Sequence, residues 1–306
     1  MSIPYFDAHC DTIVPVHFRG AALRENEFHL DLNRLRAYSP AAQVFAVCVF
    51  RKEDMRAVTA QVLDTFHREI EANEDLVRLC LNASDIAAAA AEGKIAALLS
   101  IEGAEQIGCE TEDLRAAFDR GVRIVHLTWN HDNALGGAAV ASGDGLTQRG
   151  REYVALAQSL GVAVDLSHLS ERGFWDVLEI AEKPVLAGHS DARALSDHPR
   201  NLTDAQFSAL VRTGGVAGLN FCRPFLGLTE DVDAIVAHAE HYLSLGGEKA
   251  VCLGGDLDGI DRLPGGMTGV ESLETVYEAM LRRNWSEALV RDVFWGNLNA
   301  FFGRAL

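Results

Sequence analysis

Residues 95–103 read Ile95-Ala-Ala-Leu-Leu-Ser100-Ile-Glu102-Gly103, an apolar run that ends on a carboxylate and a glycine. A run without polar alternation suits a strand covered on both faces, as in a parallel sheet flanked by helices. Ile95 to Ser100 is therefore expected to be such a strand, with Glu102 just past its end. Working outward, runs of the same type occur at Ile3 to His9, Gln43 to Phe50, Val122 to Thr128, Val162 to Leu166, Pro184 to Ala187, Gly215 to Phe221 and Ala250 to Gly254. Together they make eight candidate strands.

Helical spacing fills the gaps between them. It is visible over Asp54 to Asn73, Ala83 to Glu92, Glu112 to Asp119, Thr147 to Leu160, Ser170 to Ala181 and Val232 to Leu245. It returns in the set Val270, Leu273, Val276, Tyr277, Met280 and Leu281, and again over Ser286 to Phe301. Thr203 with Gln206 reads as a capping box opening Asp204 to Arg212, and Gly214 and Gly215 stop that helix. Strands alternating with helices, without a Pro-rich or Ser-rich linker, predict an α/β fold: a (β/α)8 TIM barrel in preference to a doubly wound sheet, with residues 1–306 as a single domain. Barrels of this kind carry their sites at the C-terminal ends of the strands. Two long loops, 130–145 and 189–202, follow strands and so belong to that rim.

Composition narrows the function. Hydrophobic residues at 48% and charged ones at 23% are the balance of a folded soluble protein. The formal charge of -17 argues against nucleic acid or anionic lipid as partners, since both need clustered Lys and Arg. No apolar run is long enough to span a membrane and no signal-peptide pattern is seen, so the expected location is cytoplasmic. Cys10, Cys48, Cys80, Cys109, Cys222 and Cys252 form no Cys-x-x-Cys pair, and several lie in apolar runs that suit small buried hydrophobes. There is no dinucleotide fingerprint or phosphate loop, and Ser100, Ser167 and Ser190 lack a nucleophile-elbow context.

The chemistry lies at the ends of the strands. His9 and Asp11, two apart, point the same way by the period of a strand. Glu102, His168 in Asp165-Leu-Ser-His168 and His189 in Gly188-His-Ser190 each follow a different apolar run. Any one of these has an ordinary structural explanation; five metal-ligand residue types at four strand ends form a metal site. Imidazoles and carboxylates suit zinc or a similar first-row ion, and five ligands serve two ions if one carboxylate bridges them. Two ions about 3.5 Å apart share a water, lower its pKa and polarise a carbonyl. Asp256 in Leu253-Gly-Gly-Asp256-Leu-Asp258-Gly stands at the same rim as a candidate proton carrier, while Asp258 reads as structural. Arg200 in Asp197-His-Pro-Arg200-Asn-Leu is suited to gripping a substrate carboxylate. Trp129, Asn130 and His131 are candidate substrate contacts, and His126 reads as a packed, hydrogen-bonded histidine.

These residues make the chain similar to the membrane (renal) dipeptidase family of the amidohydrolase superfamily. The matching pieces are Asp7-Ala-His9-Cys-Asp11-Thr, Ser100-Ile-Glu102-Gly-Ala, Asp165-Leu-Ser-His168, Gly188-His189-Ser, Arg200-Asn-Leu and Gly255-Asp256-Leu-Asp258-Gly, spread over nearly the whole chain. The resemblance implies two zinc ions per chain, one on His9 and Asp11 and the other on His168 and His189, with Glu102 bridging. It implies a dipeptide substrate whose C-terminal carboxylate meets Arg200, a D-residue at that position being allowed, with Asp256 as proton shuttle and hydroxide shared by the zinc ions as nucleophile. A homodimer is also compatible with it. One departure stands out: the family's best-known members have histidine where this chain has Trp129, which leaves the oxyanion role to His131 or to zinc alone. The competing expectations are hydrolysis of N-acyl amino acids or lactams at the same metals and, more remotely, a metal-binding barrel without catalysis.

Overall fold

The computed structural model describes residues 2–50, 54–227, 229 and 231–306. Its strands are β1 (Tyr5–Cys10), β2 (Ala41–Val47), β3 (Val77–Leu79), β4 (Ile95–Glu102), β5 (Val122–His126), β6 (Ala163–Asp165), β7 (Leu186–Ala187), β8 (Val216–Leu219) and β9 (Val251–Leu253), and every pairing between them is parallel. All but β3 close into a ring, the last joint being β2 against β4 from Ala42↔Ala96 to Val47↔Ile101. The fold is a (β/α)8 TIM barrel. The ninth strand, β3, is an addition: it pairs with the start of β4, and β5 takes up the rest of the same edge.

All eight expected barrel strands form, with shifted ends. β2 stops at Val47 although the apolar run continues to Phe50, because a side chain intercepts the next ladder groups. The buried Gln106 amide donates to Val47 O (2.7 Å) and accepts from Val49 N (3.1 Å). The expected helices are present with ends moved by a few residues, and the Thr203–Gln206 capping box forms in full. The final helical pattern divides into Glu287–Arg291, a π-helical turn over Asp292–Gly296, and Asn297–Ala305. Short pieces of seven residues or fewer escaped the sequence reading, among them β3 and the helices Ile13–Arg19, Leu32–Leu35 and Arg223–Leu226.

The barrel interior is filled by small and medium side chains, at least one from each barrel strand: Phe6, Ala42, Leu98, Ile124, Ala163, Leu186, Val216 and Cys252 among them. Leu298, Phe301 and Phe302 of the helix Asn297–Ala305 join this cluster, and Phe302 stacks on Phe6 with ring centroids 5.5 Å apart. That helix therefore stoppers the N-terminal end of the barrel and leaves the C-terminal end as the mouth through which a site can open. A larger cluster fills the layer between the outward faces of the strands and the surrounding helices.

Above the interior cluster the barrel narrows to backbone. A methyl group on Gly218 or Gly254 would run into the carbonyl oxygen of Gly188. Three strands thus approach closely because none has a side chain there. Gly254→Ala is expected to destabilise the fold by about 1–3 kcal/mol or more, the usual cost of overpacking a core. Urea unfolding followed by circular dichroism should show a lower midpoint with the m-value unchanged, and an unaltered midpoint would contradict this account of the packing.

Candidate metal centre and substrate cavity

The sequence places two histidine-bearing turns, one acid and one His-x-Asp pair at strand ends, and the barrel brings them to one spot. In β1 the register against β2 slips between Asp7 and Cys10. Phe6 and Ala8 belong to the barrel interior, yet after the slip His9 and Asp11 face the mouth while Cys10 joins the outer layer. A bulge of this kind re-aims side chains by one residue. Glu102 closes β4, His168 lies in the turn after β6, His189 follows β7, and Asp256 follows β9. His168, Asp256 and Asp258 have left-handed backbones, with φ of 70°, 57° and 67°. Such conformations are uncommon outside glycine and cluster at functional sites.

Glu102 is the hub. Its Oε1 lies 2.8 Å from His168 Nε2 and 3.3 Å from His189 Nε2, while its Oε2 lies 3.5 Å from His9 Nε2. His168 and His189 point their Nε2 atoms at each other across 3.0 Å. On the other side, His9 Nε2 is 3.3 Å from Asp11 Oδ2 and 3.9 Å from Asp256 Oδ1. One carboxylate therefore faces two imidazoles with one oxygen and a His–Asp pair with the other. All five expected ligands converge, and Asp256 stands beside them.

The donor set fits a metal. His9 Nε2 and Asp11 Oδ1 are buried and have no hydrogen-bond partner among the described residues. Burial, then the Arg200 charge, drives the His168 imidazole down to about 3, and burial with the neighbouring His9 lowers His189, so both rings are neutral with lone pairs to offer. Burial works against the charge of Glu102, but the charge of His9 and the close His168 and His189 imidazoles outweigh it and hold the carboxyl ionised. Burial lifts Asp256 to about 8, with Asp11 and Glu102 adding to the rise and His9 opposing it. A cation among these crowded carboxylates would offset the cost of their burial and return Asp256 toward its ionised form.

The surrounding residues fix the orientation of these groups. Asn130 Oδ1 takes the Nδ1 proton of His168 at 2.9 Å, which leaves Nε2 free for coordination. Ala139 N and Thr128 Oγ1 both donate to His168 O, so the loop 130–145 holds the turn. Asn220, just past β8, donates to Asp256 Oδ2 (3.1 Å) and leaves Oδ1 facing the site. Asn220 was not singled out from the sequence, although its place past a strand end was a usable signal. Gly259 was also missed: a side chain there would collide with Asp11 Oδ2 and Asp256 Oδ1. His126 is packed and hydrogen-bonded as read, with Nδ1 3.3 Å from Ile101 O and Nε2 3.1 Å from Asp165 Oδ2, but its ring also abuts those of His9 and His189.

A cavity of about 390 Å³ opens over the cluster, with Asp11, Glu102, His168 and Asp256 in its floor and Arg200, Trp129 and Phe225 in its walls. The loop 189–202 folds back through Leu202 N to Asp191 O and Arg193 N to Leu202 O, and so delivers Arg200 to the site. The Arg200 guanidinium is buried over the Phe225 ring at 5.4 Å, and its Nε and Nη1 have no acceptor among the described residues. Trp129 stacks on Phe50 at 16°. His131 lies outside: it is exposed, beside the Trp129 ring, and does not line the cavity. Asp258 also lines the cavity, but its oxygens accept from Thr12 Oγ1 (2.5 Å) and His29 N (2.7 Å), in keeping with a structural role. No helix among the described residues is long and apolar enough to cross a membrane.

Comparison with known proteins gives a consistent answer. The profile of the family described as membrane dipeptidase (peptidase family M19) matches residues 1–304. A Rhodobacter sphaeroides metallo peptidase, solved with a phosphinate mimic of the dipeptide L-Ala-D-Ala, superposes with a TM-score of 0.93 at 27% identity over 100% of both chains. The dipeptidase AC, a metallo peptidase of family M19, gives 0.91 at 28% identity over 100% of this chain and 99% of its own. An uncharacterised protein in the pqqA 5′ region of Klebsiella pneumoniae is 34% identical over 234 residues, which is 72% of this chain and 86% of that protein. With a profile match from end to end and barrels that superpose over their full length, the chain belongs to the membrane dipeptidase family, peptidase family M19.

Proposed function

We propose that this chain, as one catalytic barrel over 1–306, is a zinc-dependent dipeptidase. The observation that carries the proposal is the two-sided placement of Glu102, with His168 and His189 on one oxygen and His9 on the other. On this reading His9 and Asp11 hold one ion, His168 and His189 the second, and Glu102 serves both. Zinc bound there supplies a Lewis acid and a water acidic enough to be a nucleophile near neutral pH.

The chain's own residues do the rest. Asp256, steadied by Asn220 and facing the cluster with Oδ1, takes the proton released as water attacks and passes it to the leaving amine. Arg200 binds the C-terminal carboxylate of the substrate with the N–H groups that have no acceptor among the described residues, and Phe225 backs the guanidinium. Trp129 walls the cavity, and His131, outside it, has no part in this reading. The L-Ala-D-Ala mimic on the Rhodobacter relative supports a dipeptide substrate with a D-residue allowed at the C-terminal position. The six free cysteines suit a reducing, cytoplasmic setting.

Three measurements test this. Asp256→Asn should lower kcat by about 10²- to 10⁴-fold while zinc content is retained, the range for losing a general acid–base. Turnover at the wild-type rate would remove Asp256 from the mechanism. Arg200→Met should lower kcat/KM for free dipeptides by about 10- to 100-fold, the value of a charge-assisted hydrogen bond. It should leave the slow cleavage of C-terminally amidated dipeptides unchanged, and an equal loss on both substrates would mean that Arg200 does not read the carboxylate. N-acetylated dipeptides should be poor substrates; if they are preferred, the N-acyl amino acid reading replaces this one.

A further inference from the structure

Cys48 stands immediately past the end of β2, where the apolar run had suggested a buried hydrophobe. Ala42 and Val44 face the barrel interior, so the alternation of the strand carries Cys48 to the inner side of the mouth. There it lines the cavity, and its Sγ, a carboxylate oxygen of Asp11 and one of Glu102 all lie within 4.8 Å of one another.

This placement is held rigidly. The buried Gln106 amide donates to Val47 O and accepts from Val49 N, the backbone groups on either side of Cys48. The same Nε2 donates to the carbonyl of Glu102 at 2.7 Å. One side chain therefore fixes the thiol and the central carboxylate relative to each other. The neighbouring donors, His9 Nε2 and Asp11 Oδ1, are more than nine-tenths buried and have no hydrogen-bond partner among the described residues. Cys222 also lines the cavity but belongs to no such group among the described residues.

We propose that Cys48 is a sulfur ligand to the ion on the His9, Asp11 and Glu102 side. His9, Asp11 and Glu102 supply three donors and the water of the proposed reaction a fourth, so the sulfur is a fifth donor, a coordination number that zinc reaches in catalytic sites. When sulfur bonds the ion, the thiol proton passes to solvent, and the charge of the ion is shared among the sulfur and the two carboxylates. A sulfur donor biases this side toward zinc, cobalt or cadmium and away from magnesium or manganese. The inference rests on the two-metal reading above.

Cobalt separates the two ideas. The metal-free full-length protein is loaded with Co²⁺, its bound cobalt is counted, and its absorption is recorded for the wild type, Cys48→Ser and Cys222→Ser. The expected result is two cobalt ions per chain and a near-ultraviolet sulfur-to-cobalt band that Cys48→Ser loses entirely and Cys222→Ser keeps. Cobalt bound without that band in the wild type, or a band that survives in Cys48→Ser, would overturn the assignment and leave the metal site standing. No bound cobalt would overturn the metal reading and this inference together. If Cys48→Ser fails to fold, the band in wild type and Cys222→Ser still assigns the sulfur, since none of the other four cysteines lines the cavity.

Discussion

The Glu102 carboxylate is buried at the end of β4 with two imidazoles on one oxygen and a third on the other. An ionised carboxyl in such a place is costly unless it is paired and hydrogen-bonded, so the strand ends around it are committed to supplying partners. The partners come from β1, β6 and β7, strands that only barrel closure brings together. In this sense the ring of parallel strands and the chemistry at its mouth are one arrangement. The stoppered N-terminal end and the glycine layer beneath the site keep the interior packed and direct the polar groups upward.

Local backbone departures complete the geometry. The slip in β1 turns His9 and Asp11 to the mouth, and left-handed residues at His168 and Asp256 bend the chain where a regular strand would carry the side chain past the site. For non-glycine residues each such conformation costs on the order of 1–2 kcal/mol. The surroundings offset it: Ala139 N and Thr128 Oγ1 pin the turn at His168, and Asp258, engaged with Thr12 and His29, anchors the turn after Asp256. The loops that lie over the mouth therefore act as supports for the candidate ligands as much as walls for the cavity.

Much of this was legible in the sequence. The barrel strands are apolar runs, and the candidate ligands are polar residues at the ends of those runs, a contrast that needs no structure to see. Arg200 was visible for the same reason, as a cation in a long rim loop. Residues whose importance depends on three-dimensional neighbours were not visible. Asn220 matters only because it reaches Asp256, Gly259 because a side chain would strike two carboxylates, and Gln106 because its amide ends β2 and ties it to Glu102. Cys48 looked like one more apolar residue of a run whose strand ends one residue earlier. His131 shows the converse: adjacency in sequence to Trp129 suggested a substrate contact, but the turn places its ring outside the cavity.

Anomalous scattering at the zinc edge, from crystals of zinc-loaded protein, tests the central claim most directly, because it locates ions without reference to activity. Two peaks about 3.5–4 Å apart, each about 2.0–2.2 Å from a different oxygen of Glu102, are the predicted result. A single peak, or ions that leave one Glu102 oxygen uncoordinated, would contradict the account of this carboxylate as the link between two metals.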